Sequence, residues 1–62
     1  MKSSEMHRLI LRNAWKVLRQ EGSHIIYVKE GVIYPVPFHG SKELGRGLEM
    51  KIKKEMQLDG RA

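Results

Sequence analysis

The chain has 62 residues and no cysteine, and its 12 Lys and Arg residues exceed its 7 Asp and Glu to give a formal net charge of +5. This length allows one small domain, because a chain of this size buries only about 60% of the surface that its unfolded form exposes. Without cysteine there is neither a disulfide framework nor a thiolate zinc site, so a reducing cytoplasm is the expected setting. The positive charge favours an anionic partner, either nucleic acid or an acidic protein surface.

Neither a signal peptide nor a membrane span is predicted. The apolar run near the N-terminus, Leu9 to Leu11, is too short for either one. We therefore expect a soluble protein with one domain over residues 1–58 and a disordered tail over residues 59–62.

The first predicted element is a helix over about residues 4–13. The serine hydroxyls of Ser3 and Ser4 are expected to cap its start, and Asn13 is expected to end it in the left-handed conformation. Its apolar positions recur at helical spacing and are Met6, Leu9, Ile10 and Ala14. Its opposite face is expected to be solvated and carries His7, Arg8 and Arg12.

The apolar period then changes to two, which predicts a three-stranded antiparallel meander. The first strand, residues 15–20, begins at Trp15 as a core anchor and has one face half-buried. The second runs from residue 24 to 29, with His24 on one face and Tyr27 on the other, core-facing side. The third spans residues 32–36, and two prolines, Pro35 and Pro37, either confine it to an edge or end it early.

A polar loop over residues 38–44 leads into a second helix, expected from Gly45 to about Gln57. The predicted core face of this helix carries Leu48, Ile52 and Met56, and its opposite face carries Arg46, Lys53 and Lys54. The element order predicts an α+β fold, an α-β-β-β-α two-layer sandwich whose three-stranded antiparallel sheet has both helices on one face.

His24 is the candidate for chemistry. The turn at Gly22 and Ser23 is predicted to place it at the first position of a strand, where rigid backbone holds the imidazole. Histidine side chains change protonation near neutral pH, so a fixed imidazole can give or take protons without a cofactor. The residues alone leave open whether His24 is a catalyst or a polar residue at the rim of the sheet.

The order and spacing of several short motifs resemble the HicA family of bacterial toxins over nearly the whole chain. The motifs are Lys2-Ser3-Ser4-Glu5, Trp15, Gly22-Ser23-His24 with Tyr27, Val36-Pro37-Phe38-His39, and Lys42-Glu43-Leu44-Gly45-Arg46-Gly47-Leu48. The resemblance implies a double-stranded RNA-binding-domain-like fold, mRNA interferase activity, and neutralisation by a HicB antitoxin encoded beside the toxin. The family's key histidine corresponds to His24. Leu48 departs from the pattern, since many members have threonine there.

The resemblance implies a reaction in which RNA supplies its own nucleophile, the 2′-hydroxyl, and the protein needs a proton acceptor, a proton donor and positive charge. His24 is then expected to be the general acid or base, and the products a 2′,3′-cyclic phosphate and a 5′-hydroxyl. His39 is the candidate for the second proton-handling group, with a polar loop-capping role as the alternative. Because no Cys, His and Asp cluster has ligand spacing, we expect neither a metal nor a small-molecule cofactor.

The basic residues around the start and outer face of the second helix are expected to hold RNA phosphates; they are Lys42, Arg46, Lys53 and Lys54. Two alternatives fit the same charge. One is a non-catalytic RNA-binding module, which would keep binding RNA after His24→Ala. The other is a small basic protein that binds an acidic partner without RNA.

Overall fold

The computed structural model describes residues 1–58, and the predicted tail over residues 59–62 lies outside the described part. The elements are α1 (Ser3–Arg12), β1 (Lys16–Glu21), β2 (His24–Lys29), β3 (Val32–Pro37) and α2 (Arg46–Glu55). The strands form one antiparallel sheet in the order β1-β2-β3. The predicted α-β-β-β-α order is confirmed. Within residues 1–58, neither helix is long and apolar enough to cross a bilayer.

Both hairpins close with two-residue turns whose residues suit their backbone. Gly22 has a φ of 60° and is followed by Ser23 with a negative φ, the signs of a type II′ turn. Glu30 and Gly31 both have positive φ, 50° and 81°, the signs of a type I′ turn. These turns match the right-handed twist of the strands, so they fix the register of β2 against both neighbours.

One face of the sheet carries the core. On β2, Ile25 and Tyr27 point toward this face, and both belong to the cluster of buried apolar side chains. The two helices contribute Met6, Leu9, Ile10, Ile52 and Met56 to the same cluster. Both helices therefore cover the same face, as predicted. Trp15 is the expected core anchor: it is buried, and its Nε1–H donates to the Met56 carbonyl at 3.3 Å.

The ends of α1 differ from the prediction. The helix starts one residue early, and carbonyls of the loop after β3 bind its first N–H groups in place of a serine hydroxyl: Ser3 N–H donates to Lys42 and Ser4 N–H to Gly40, at 3.0 and 2.9 Å. At the other end the left-handed residue is Ala14, with a φ of 71°, and not Asn13. Ala14 was expected in the core and is exposed.

Two further burial predictions, for β1 and for Leu48, were also wrong. All six residues of β1 are exposed, because β1 is an edge strand and Trp15, just before it, supplies the anchor. Leu48 is 37% exposed, although Ile52 and Met56 are buried as expected. The core position at the start of α2 is filled by Leu44, one turn earlier in the chain.

The outer edge of β3 lacks two backbone donors. The Phe38 N–H points toward β2 and donates to the Ser23 carbonyl at 2.7 Å. Because N–H directions alternate along a strand, the nitrogens of Pro37 and Pro35 lie on the outer edge. A proline at either position costs the sheet no hydrogen bond, which is why the edge prediction holds.

Candidate active site

His24 lies on the face of the sheet that the helices leave uncovered. It is the first residue of β2, and its side chain is exposed. On the same face of β2 lies Ile26, which is buried although no helix covers it. The strand neighbours of His24 are Glu21 on β1 and Pro37 on β3. The His24 imidazole therefore lies on the open face of the sheet, next to the apolar side chain of Ile26. The backbone of His24 is fixed by the strands that pair with β2 on both sides.

Two charged side chains that the sequence did not single out share this face with His24. Glu21 is the direct cross-strand partner of His24, and Arg19 is paired with Ile26. Directly opposed residues of an antiparallel pair point to the same side, with Cβ atoms about 5 Å apart. The Arg19 Nε–H donates to the Glu21 carboxylate, and both side chains are more than half exposed. The three form the Arg19-Glu21-His24 cluster.

His39 lies in the loop that follows β3. It is exposed, and its carbonyl accepts the Lys42 N–H at 3.2 Å. The loop is anchored to the start of α1 through the Ser3 and Ser4 N–H groups, and to the His24 turn through the Phe38 N–H. His39 comes two residues after Pro37, the strand neighbour of His24. Within residues 1–58, the structure shows no hydrogen bond between the two imidazoles.

The predicted RNA-binding residues are not equally available. Lys42, Arg46 and Lys54 are exposed. Lys53 instead donates to the Glu49 carboxylate at 3.0 Å, one helical turn away, so its charge is partly offset.

Glu49 also changes the electrostatics at the start of α2. The Met1 ammonium donates to it at 3.0 Å. Hydrogen bonds from this ammonium, and then from Lys53, hold the pKa of Glu49 below its usual value. An acidic side chain in the first turn already complements the helix dipole. The exposed Lys and Arg side chains are therefore better suited to bind phosphate than the backbone N–H groups in the first turn of α2.

His7 has a partner that its sequence position did not reveal. Its Nδ1 lies 2.6 Å from the hydroxyl of Tyr27, and its ring packs edge-on against Phe38, with centroids 5.7 Å apart. Tyr27 is 1% exposed, and burial raises its pKa to about 12. His7 was expected on a solvated face. It is instead half-buried and joins α1 to β2, whereas Arg8 and Arg12 are exposed as predicted.

We expect His7→Leu to lower the free energy of unfolding by about 1–3 kcal/mol, because the buried Tyr27 hydroxyl would lose its partner. The double variant His7→Leu/Tyr27→Phe should recover much of this loss, since removing both polar partners is nearly neutral. Urea unfolding of the wild type, both single variants and the double variant measures the coupling. Additive losses would show that the two side chains do not stabilise each other.

Within residues 1–58, the structure shows no cluster of side chains suited to hold a metal ion. Surface cavities of about 230 and 340 Å³ lie away from His24: the first is beside Trp15 and Lys29, at the far end of β2, and the second is beside Arg46 and Glu49. His24 itself is exposed, on the face of the sheet that the helices leave uncovered.

The comparisons with known proteins agree with this architecture. The family model described as the HicA toxin of bacterial toxin–antitoxin systems matches residues 3–58. Searches of curated proteins and of solved structures found no match. The family match includes both helices, all three strands and the His24 turn. The chain therefore belongs to the HicA toxin family of bacterial toxin–antitoxin systems.

Proposed function

We propose that this toxin is a metal-independent endoribonuclease that cuts mRNA, with His24 as a general acid or base. Family membership supports a toxin with an RNA target and an antitoxin partner. The observation that carries the proposal is the position of His24, an exposed imidazole at the start of a central strand, on the sheet face that the helices leave open. A group held by strand backbone is well placed to meet a scissile phosphate in a fixed geometry.

The chemistry requires few protein groups. The 2′-hydroxyl of RNA attacks the adjacent phosphorus, so the nucleophile belongs to the substrate. One protein group takes the 2′ proton, another gives a proton to the leaving 5′-oxygen, and positive charge stabilises the phosphorane. His24 fills one of the two proton-transfer roles, and the sequence offers His39 for the other. The products are a 2′,3′-cyclic phosphate and a 5′-hydroxyl.

RNA is held through its phosphates by the cations around α2. Lys42, Arg46 and Lys54 are exposed and available, whereas Lys53 is engaged by Glu49 and contributes less. The formal charge of +5 extends this attraction over the whole domain. Contacts to phosphate confer affinity with little sequence choice, so binding weakens steeply as salt is raised.

The antitoxin in this proposal is a HicB-like protein with an acidic surface. Such a surface complements the basic face of α2, and the antitoxin would need a further contact on the open face of the sheet to cover the exposed His24. Binding only the folded toxin would also stabilise a small domain by mass action. A complex that leaves His24 fully accessible would contradict inhibition by masking of this residue.

The test is cleavage of mRNA by the purified chain in EDTA. The wild type should cut the RNA and leave 2′,3′-cyclic phosphate ends. A matched oligonucleotide with 2′-deoxyribose at the cleaved positions should stay intact, because it lacks the nucleophile. RNA that is bound but never cut would favour the non-catalytic RNA-binding module. Failure to bind RNA at all would favour the small basic protein that contacts only an acidic partner.

A further inference from the structure

We propose that Glu21 is the second proton-handling group, which takes the 2′ proton, and that Arg19 binds the scissile phosphate beside it. His24 then acts as the general acid. This assignment rests on the endoribonuclease function proposed above and completes the pair of proton transfers that a single histidine cannot perform. It assigns a catalytic role to the Arg19-Glu21-His24 cluster.

The register of the sheet brings the three groups together. Glu21 and His24 are the closing pair of the first hairpin, on either side of the Gly22-Ser23 turn. Their side chains leave the same face, with Cβ atoms about 5 Å apart for such a pair. A scissile phosphate with its 2′- and 5′-oxygens on opposite sides can span a carboxylate and an imidazole at this spacing. No rearrangement of the strands is needed.

The contact between Arg19 and Glu21 gives each group a role. The guanidinium holds the carboxylate on the face that carries His24. Both side chains are more than half exposed, so the ion pair adds little to stability and can be opened by a ligand. A guanidinium matches the oxygens of a phosphate in a bidentate geometry. A bound RNA phosphate would therefore accept hydrogen bonds from Arg19 and lie beside the Glu21 carboxylate. The positive charge of the guanidinium would partly offset the negative charge of the phosphate.

The step balances without any further reactant. The Glu21 carboxylate accepts the proton of the 2′-hydroxyl while the 2′-oxygen forms its bond to phosphorus. The bond from phosphorus to the 5′-oxygen breaks, and that oxygen receives a proton from the His24 imidazolium. The products are the 2′,3′-cyclic phosphate and the 5′-hydroxyl, with Glu21 protonated and His24 neutral. Exchange of both protons with water resets the site.

The strand position favours Glu21 over His39 as the partner of His24. Glu21 belongs to a strand paired directly with β2, whereas His39 lies in a loop beyond the end of β3. The charged and titratable groups near His24 in this arrangement are Glu21 and Arg19 on β1 and His39 after β3, since the β3 neighbour Pro37 has no charge. A pH profile can therefore separate the two candidates.

The experiment compares Glu21→Gln with Glu30→Gln, a matched loss of a carboxylate at the other end of the sheet. Glu21→Gln should lower kcat by about 100-fold or more, leave RNA affinity equal or slightly higher, and keep the thermal midpoint of the wild type. Glu30→Gln should cleave like the wild type. Glu21→Asp keeps a carboxylate on a shorter arm and should recover part of the rate.

The pH dependence of kcat/KM supplies an independent readout. For the wild type, a plot of kcat/KM against pH should be bell-shaped. The rising limb reports the carboxylate, which must be ionised, and the falling limb reports the imidazole, which must be protonated. Glu21→Gln should lose the rising limb, and His39→Gln should keep it. Should Glu21→Gln unfold, the Asp variant and the His39→Gln profile still decide between the candidates.

The outcomes separate this assignment from the function on which it rests. If Glu21→Gln cleaves within about threefold of the wild type while His24→Ala is inactive, the role of Glu21 is overturned and the endoribonuclease stands. If His39→Gln removes the rising limb, the second group is His39. If the wild type cuts no RNA, the proposed endoribonuclease function is wrong, and so are the roles proposed for Glu21 and Arg19.

Discussion

Replacing His24 with alanine is expected to slow RNA cleavage by about 10²- to 10⁴-fold, the range for loss of a general acid or base. The free energy of unfolding should change little, because the side chain is exposed and makes no hydrogen bond within the described part of the chain. Single-turnover cleavage of a labelled mRNA measures the first quantity, and urea unfolding measures the second. A large rate loss in a fully folded protein identifies a chemical role.

The matched control for His24→Ala is Arg12→Lys. This substitution keeps the charge, and Arg12 lies in the last turn of α1, outside the proposed site. RNA affinity, measured by fluorescence anisotropy with uncleavable 2′-deoxy substrate, should be similar for His24→Ala, the control and the wild type. If His24→Ala cleaves RNA as fast as the wild type, the imidazole has no catalytic role. If the variant loses enough RNA affinity to account for its slower cleavage, the imidazole acts in binding.

Truncating Ile10 to alanine should destabilise the domain by about 2–5 kcal/mol, the cost of a cavity in a packed core. Ile10 is 0% exposed and lies in the apolar cluster that joins both helices to the sheet. The next residue, Leu11, is 42% exposed, so Leu11→Ala is a control on the same helix and should cost far less. Urea unfolding of the two variants gives the comparison directly.

The loss at Ile10 is large relative to the stability of a domain this small. Domains of this size have little free energy of unfolding in reserve, so Ile10→Ala should be partly unfolded at 37 °C. An antitoxin that binds only the folded form, at 100 times its Kd, would restore about 2.7 kcal/mol. Equal losses for the variants at residues 10 and 11 would contradict the burial difference on which this prediction depends.

The sequence was sufficient to predict the strands and the face on which His24 lies. Alternation over residues 24–29 places His24 opposite Tyr27, and the structure confirms one exposed and one buried side chain. Glycines at 22 and 31 mark both hairpins because the turns require positive φ there. Short-range periodicity and turn chemistry are local properties, so they can be deduced without knowing the packing.

What the sequence could not supply depends on contacts between distant segments. His7 has a polar neighbourhood in the chain, yet it reaches Tyr27, 20 residues away. The start of α1 is capped by the loop after β3, a contact that capping rules for serine do not anticipate. Arg19 and Glu21 form part of the His24 site only because β1 is in register with β2. One signal was available: two charged residues at i and i+2, just before the Gly-Ser-His turn, must share a face if a hairpin forms there.

The two prolines of β3 also limit how copies of this toxin can associate through their sheets. A strand added to the β3 edge would find no N–H donor at either Pro35 or Pro37. The β1 edge is therefore the better edge for extending the sheet, and pairing of two β1 edges would use it in both copies. Edge-to-edge association is then expected to favour two chains over continuous filaments.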